Sequence, residues 1–161
     1  MATPDKIATL TRIRVPLKTG EFDEREFHAM PSLLRFLEEI LPGAKAGVLG
    51  ATESPAAQMD TLLRKWNVGK PLVYSRAFSN LKPTVRGVWE MKTVDLRIFG
   101  WLWRPKIFIA TFAGLADDYK SQDGKPPKES YGEARDRVVW IRDRLDLDPP
   151  TFVTGEYNAL I

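Results

Sequence analysis

The spacing of apolar residues predicts two helices in the first half of the chain. The first begins at Pro31, because proline is tolerated in the first helical turn, and ends at Pro42-Gly43. The second has Ser54 as its N-cap and Pro55 at its first position, and it ends at Gly69-Lys70-Pro71. The apolar residues of the two helices recur every three or four positions and are Leu33, Leu34, Leu37, Ile40 and Leu41, then Met59, Leu62, Leu63 and Trp66.

The hydrophobic period changes to two in the middle of the chain, which predicts a meander of three antiparallel strands. The strands are expected at residues 84–91, 96–103 and 106–112, with tight turns at 93–95 and 104–105. Alternation assigns the side chains of the central strand to two faces. Leu96, Ile98, Gly100 and Leu102 lie on one face, and Arg97, Phe99, Trp101 and Trp103 lie on the other.

The segments around this core are expected to be shorter or irregular. Residues 7–15 predict a first strand, 71–83 a connection with a short extended piece, and 117–129 a polar loop. Residues 44–53 fit either a helix or a loop.

The C-terminal part is expected to hold one more helix, at residues 130–145, which Pro149-Pro150 stops. The segment 151–161 is a tail that either adds a strand or stays loose. The whole pattern predicts one α+β domain over 1–161, in which 1–30 form an N-terminal strand and extension.

Composition narrows the chemistry. The chain of 161 residues has no cysteine, which excludes disulfides, thiolate metal sites and a cysteine nucleophile. No apolar run approaches the roughly 20 residues that span a bilayer, and Asp5, Lys6 and Thr9 interrupt any signal-like segment at the N-terminus. We therefore expect a cytoplasmic protein with no membrane partner.

Charge is unevenly distributed along the chain. The formal net charge is only +3, but residues 60–110 hold ten Lys or Arg and three Asp or Glu, so the flanks are net acidic. A basic middle suggests an anionic partner. Ordinary solvation of the surface explains the same charges, and charge alone leaves both interpretations open.

Four segments resemble the RelE/HigB-like toxin superfamily, in particular its phage-derived host-inhibition branch. The segment 36–42 is similar to the end of the family's first helix, and 87–92 (Gly-Val-Trp-Glu-Met-Lys) is similar to its Gly-Leu-Trp-Glu-Leu-Arg strand. The segment 96–99 (Leu-Arg-Ile-Phe) resembles its Tyr-Arg-Ile-Phe strand, and the fourth segment runs from Ala113-Gly114-Leu115 to the last predicted helix.

The resemblance implies a RelE-like fold and a ribosome-dependent mRNA endonuclease that inhibits translation and pairs with a cognate antitoxin protein. Its other partners would be the ribosome or mRNA, and no cofactor or metal is expected. One segment departs from the family, which commonly has two lysines where this chain has Asp117-Asp118 after Ala116. Because two carboxylates repel phosphate, the alternative is a catalytically inactive RelE-like protein that binds nucleic acid or a protein.

RNA cleavage needs a group that stabilises the pentacoordinate phosphate and a group that moves a proton. The catalytic candidates are Arg97 as phosphate clamp, with Lys92, Tyr119 and Glu90. Each has a structural alternative: stacking of Arg97 on an aromatic ring, an exposed turn for Lys92, simple packing for Tyr119 and an ion pair for Glu90.

The candidates for nucleic-acid binding are Arg86, Arg104, Lys106 and Lys120. Arg86 would share a strand face with Glu90 and Lys92, whereas solvation of turns is the alternative for Arg104 and Lys106. Two weaker signals remain: the adjacent Asp117 and Asp118, which suit Mg²⁺ or a solvated loop, and His28, the only histidine, which is interpreted as structural or exposed.

Overall fold

A six-stranded mixed sheet organises the fold, as seen in a computed structural model that describes residues 1–161. The spatial order is β1-β2-β6-β5-β4-β3. All neighbours are antiparallel except β2 and β6, which run parallel. The strands are β1 (Thr11–Ile13), β2 (Glu26–Ala29), β3 (Phe78–Asn80), β4 (Trp89–Lys92), β5 (Leu96–Arg104) and β6 (Ile107–Leu115).

The meander of β4, β5 and β6 is confirmed, but its first strand begins later than expected. The residues Thr84–Arg86 form a short 3-10 turn instead of a strand. Gly87 ends this turn with a left-handed φ of +64°, which glycine adopts without strain. The strand predicted at 7–15 is reduced to β1. Two strands, β2 and β3, were not predicted, so the sheet is twice as wide as the meander.

The two predicted helices are present with changed ends. The first, α1 (Pro31–Arg35), continues through a wide turn at Phe36–Ile40 and a 3-10 turn at Leu41–Gly43. The second, α2 (Pro55–Asn67), is capped by Ser54, whose Oγ accepts the N–H of Ala57 at 3.2 Å. Residues 44–53 form a loop, which decides between the two alternatives for this segment.

The C-terminal part contains α3 (Tyr131–Arg142), which is shorter than predicted, and a last turn of helix, α4 (Tyr157–Leu160), in place of a strand or loose tail. Ser130 caps α3 in a capping box with Glu133. None of the helices combines the length and the apolar character needed to cross a membrane.

Each face of the sheet carries its own hydrophobic core, and the side chains of β5 are divided between the two faces as the alternation predicted. Leu96, Ile98 and Leu102 pack with α1 and α2 on the first face. Phe99, Trp101 and Trp103 pack on the second face with residues of α3 that include Ala134 and Val138. The molecule is therefore layered, with helices on both sides of one sheet.

A β-bulge lies at the centre of β5 and β6, between the pairs Phe99–Phe112 and Gly100–Ala110. The extra residue, Thr111, is fully buried, and its Oγ1 donates to the carbonyl oxygen of Phe99 at 2.7 Å. The bulge changes the phase of β6, so that Ala110 and Ala113 both face the first core.

Candidate functional site

A hydrogen-bond network fixes the turn between β4 and β5. On α2, Gln58 accepts from the hydroxyl of Thr93 at 2.6 Å and from the N–H of Asp95 at 3.0 Å, and its Nε2 donates to Asp95 Oδ2 at 2.6 Å. The other carboxylate oxygen of Asp95 accepts the N–H of Gly47 at 2.8 Å. The turn, the start of α2 and the loop 44–53 are therefore held as one unit.

A cleft of about 290 Å³ opens beside this network, between α2, the segment 71–77 and the β4–β5 turn. Two cations of the first face line it, Lys65 and Arg76, against one carboxylate, that of Glu53. Lys92 also borders the cleft, but its side chain lies on the other face of the sheet. Lys65 and Arg76 are exposed and form no ion pair. This basic cleft suits an anion.

Glu90 and Lys92 lie on the second face of the sheet at the same end. The Glu90 carboxylate is 5% exposed, and its Oε1 accepts from the hydroxyl of Ser79 at 3.0 Å and lies 3.5 Å from Lys92 Nζ. Its Oε2 is enclosed and has no hydrogen-bond partner. An ion pair with Lys92 therefore compensates this buried charge, in agreement with the structural alternative for Glu90.

Arg97 is directly opposite Lys92 in the β4–β5 register and is 9% exposed. Its Nη1 donates to the carbonyl oxygens of Thr93 and Leu96, both at 2.8 Å, and its Nε donates to the hydroxyl of Tyr131 at 3.2 Å. Arg97 thus closes the turn and ties it to the start of α3. No aromatic ring lies under its guanidinium, unlike five other arginines of the chain.

Tyr119 is buried against Phe99, with ring centroids 5.0 Å apart, and its hydroxyl donates to Glu129 at 3.2 Å. Arg137 completes this row by an ion pair with Glu129 at 3.3 Å. Burial, followed by the charge of Glu129, raises the pKa of Tyr119 above its usual range. At neutral pH the phenol therefore stays protonated, and its O–H already donates a hydrogen bond to the carboxylate of Glu129.

The four residues predicted to bind nucleic acid do not form one surface. Arg104 and Lys106 lie at the opposite end of β5, and the eight residues from Arg97 to Arg104 span about 23 Å of strand. Arg86 was predicted to share a strand face with Glu90 and Lys92. That prediction is wrong, because Arg86 lies in the 3-10 turn before β4. Lys120 follows the C-terminal end of β6, which pairs with the start of β5, and lies in a separate depression with Asp117 and Lys128.

Arg104 has a structural role. Its guanidinium lies 4.1 Å from the centroid of Trp103, and it donates to the carbonyl oxygens of Trp103, Asp148, Pro149 and Pro150. With these donors engaged, Arg104 holds the segment before the C-terminal tail and is not available to a phosphate.

The two acids that depart from the family pattern are also engaged, and with different partners. Asp117 accepts the N–H of Val48 at 3.1 Å, and Asp118 pairs with Lys128 at 2.8 Å. The two carboxylates therefore fasten two loops and do not converge on a common metal position.

Sequence reasoning missed Lys65 and Arg76. The lysine lies off the apolar stripe of α2, and the arginine belongs to a connection without a periodic pattern. Their proximity depends on how the segment 71–77 folds back beside α2, for which the sequence offers only one signal, the excess of cations between residues 60 and 110.

The fold and this end of the sheet define a layered α+β protein with a basic cleft. No family model matches the chain, and comparison with curated proteins and with solved structures finds no match either. The resemblance to RelE/HigB-like toxins stays a prediction.

Proposed function

We propose that the protein is a RelE/HigB-like protein that binds RNA through the basic cleft and does not cleave it. One observation supports the proposal most directly: Lys65 and Arg76, the cations that line the cleft, are exposed and form no ion pair with a carboxylate. Such cations attract a phosphate backbone and release its counterions on binding. The order of two helices, a strand meander and a last helix is compatible with the resemblance.

Binding without cleavage fits the state of the predicted catalytic groups. Arg97 donates to two backbone carbonyls and a phenol, so it has only Nη2 left for a phosphate. Tyr119 is protonated and hydrogen-bonded to Glu129, and Glu90 is enclosed beside Lys92. A general base must reach the proton that it removes, and neither the phenol nor this carboxylate is open to an RNA hydroxyl.

The double variant Lys65→Ala/Arg76→Ala tests the binding proposal. We expect its affinity for a labelled single-stranded RNA 20-mer at 50 mM salt to fall by about tenfold or more, because two phosphate contacts are lost. The slope of log K against log salt should become shallower by about 1.4, which is 0.7 for each contact on a single strand. Fluorescence anisotropy between 50 and 200 mM salt measures both quantities.

The matched control is Arg86→Ala, which removes an exposed cation at the other end of the sheet and should retain the wild-type slope. The proposal is wrong if the wild-type protein has no salt-dependent affinity for RNA. It is also wrong if Arg86→Ala weakens binding as much as the double variant, since the cleft would then have no special role. The first outcome would redirect the search to a protein partner.

A second candidate function is that of a toxin that cleaves mRNA on the ribosome and is neutralised by an antitoxin. It is favoured by one observation: Glu90, Lys92, Arg97 and Tyr119, the four predicted catalytic residues, all lie on the second face of the sheet. Docking on a ribosome would have to rearrange the hydrogen bonds of Arg97 and open this face.

The second candidate predicts growth arrest on expression and cleavage of translated mRNA. We expect Arg97→Ala to slow cleavage by about 100-fold, the usual cost of losing one group that stabilises a transition-state charge. Arg86→Ala is again the control, and circular dichroism verifies that both variants are folded. Intact mRNA in arrested cells, or cleavage that persists in folded Arg97→Ala, would exclude this assignment.

A further inference from the structure

The only histidine of the chain has an unusual environment that the proposed function does not explain. His28 lies on β2 and is 1% exposed. Its Nε2 is 2.9 Å from Glu26 Oε2, while its Nδ1 faces Asp5 Oδ1 at 3.9 Å and is enclosed without a hydrogen-bond partner. Asp5 belongs to the N-terminal 3-10 turn Pro4–Lys6, which lies beside this strand.

This arrangement leaves a lone pair unsatisfied. A neutral imidazole has one N–H and one acceptor nitrogen. If Nε2 donates to Glu26, then Nδ1 presents its lone pair towards a carboxylate, and two acceptors face each other. A buried acceptor without a partner is unfavourable, and a separation of 3.9 Å is too long for a hydrogen bond. A cation between the two groups would remove this conflict.

We propose that Asp5, Glu26 and His28 form a binding site for a divalent transition-metal ion of the Zn²⁺ class. Side-chain atoms of the three residues that are able to ligate a metal lie within 4.8 Å of one another, so all three residues can act at one ion, two as ligands and one by orienting the imidazole. The gap between His28 Nδ1 and Asp5 Oδ1 is 3.9 Å. One ion with bonds of about 2.0–2.2 Å to an imidazole nitrogen and to a carboxylate oxygen bridges it once the exposed side chain of Asp5 moves inwards slightly.

The roles within the site follow from the hydrogen bonds. His28 Nδ1 and Asp5 are the direct ligands, and Glu26 orients the ring through Nε2, as carboxylates commonly do behind metal-bound histidines. Arg12 lies 3.6 Å from the other oxygen of Glu26 and offsets its charge, which suits an orienting role. Because the Asp5 side chain is 61% exposed, water can complete the coordination shell.

The donor set selects the class of ion. An imidazole with carboxylates and no thiolate suits Zn²⁺, Ni²⁺ or Cu²⁺, whereas Mg²⁺ and Ca²⁺ take oxygen ligands. Binding would join the N-terminal turn to the sheet. In the structure that segment is held otherwise by backbone hydrogen bonds such as Ala2 N–H to Asp146 O at 2.7 Å and by the N-terminal amine near Asp146.

Calorimetric titration of the full-length, untagged chain with Zn²⁺ tests the site. We expect the wild type to bind one equivalent and Mg²⁺ to give no signal. Asp5→Asn, which changes an exposed side chain, should bind at least about tenfold more weakly, and Glu26→Gln about 10- to 100-fold more weakly as an orienting residue. The control Asp60→Asn removes an exposed carboxylate from α2 and should bind as the wild type does.

A spectroscopic readout identifies the ligand atom without relying on stability. Since the chain has one histidine and no cysteine, the ¹⁵N resonances of an imidazole in this protein report His28 alone. Zn²⁺ should shift the Nδ1 resonance and leave Nε2 in its hydrogen-bonded state. The proposal is overturned if Zn²⁺ neither binds the wild type below millimolar concentration nor shifts Nδ1, or if Asp5→Asn keeps the wild-type affinity.

Discussion

Gly100→Ala is expected to destabilise the protein by about 3 kcal/mol, at the upper end of what overpacking usually costs. A Cβ at this position would lie 2.0 Å from the carbonyl oxygen of Ile109 and 2.9 Å from its carbonyl carbon. Both atoms belong to the backbone of the neighbouring strand at the bulge, so no side-chain rotation relieves the contact. Urea denaturation followed by tryptophan fluorescence measures the loss.

Gly43→Ala is the matched control for this change. It makes the same substitution where a Cβ would meet nothing within 4 Å, and its midpoint of denaturation should stay close to that of the wild type. A free energy of unfolding for Gly100→Ala within about 0.5 kcal/mol of the wild type, the range of ordinary surface substitutions, would mean that β5 and β6 do not approach as closely as described.

Asp95→Ala is expected to cost about 3 kcal/mol, because it removes the acceptor of the half-buried N–H of Gly47 and of one N–H of Gln58 Nε2. The other hydrogen bond of Gln58 Nε2, to the carbonyl oxygen of Glu53 at 3.0 Å, is retained. The carboxylate is 4% exposed, so water does not replace it easily. Since the same network fixes the β4–β5 turn beside the basic cleft, RNA affinity should fall together with stability.

Thermal and urea unfolding of Asp95→Ala, compared with Asp60→Ala, separate a network effect from the loss of one negative charge. Asp60 is exposed on α2, so its replacement should change stability by less than about 0.5 kcal/mol. Equal stabilities of the two variants would show that the hydrogen bonds of Asp95 contribute little to the fold.

Elements with strong local signals were predictable from the sequence. The stripe from Met59 to Trp66 and the Ser54-Pro55 start defined α2, and alternation along β5 assigned its side chains to the two cores. The tight turn predicted at 93–95 is present, and it brings Lys92 opposite Arg97. These features depend on residues near one another in the chain.

Elements defined by distant partners were not predictable in this way. The strand β2 has four residues and no alternation, since Phe27, His28 and Ala29 are all buried, and it is completed only by pairing with β6. The strand β3 has three residues at the edge of the sheet. In the site, the environment of His28 depends on Asp5, which the chain brings close only when the N-terminal turn packs beside the sheet.

The parallel pairing of β2 with β6 has a consequence for the newly made chain. Glu26 pairs with Ile107, about 80 residues later, whereas β4, β5 and β6 are joined by short turns. Contacts between distant residues form slowly, because closing the intervening loop lowers the chain's conformational entropy before the contact adds any stabilisation. During synthesis β2, α1 and α2 leave the ribosome before their partner strand exists, so we expect the first core to close only after translation has passed β6.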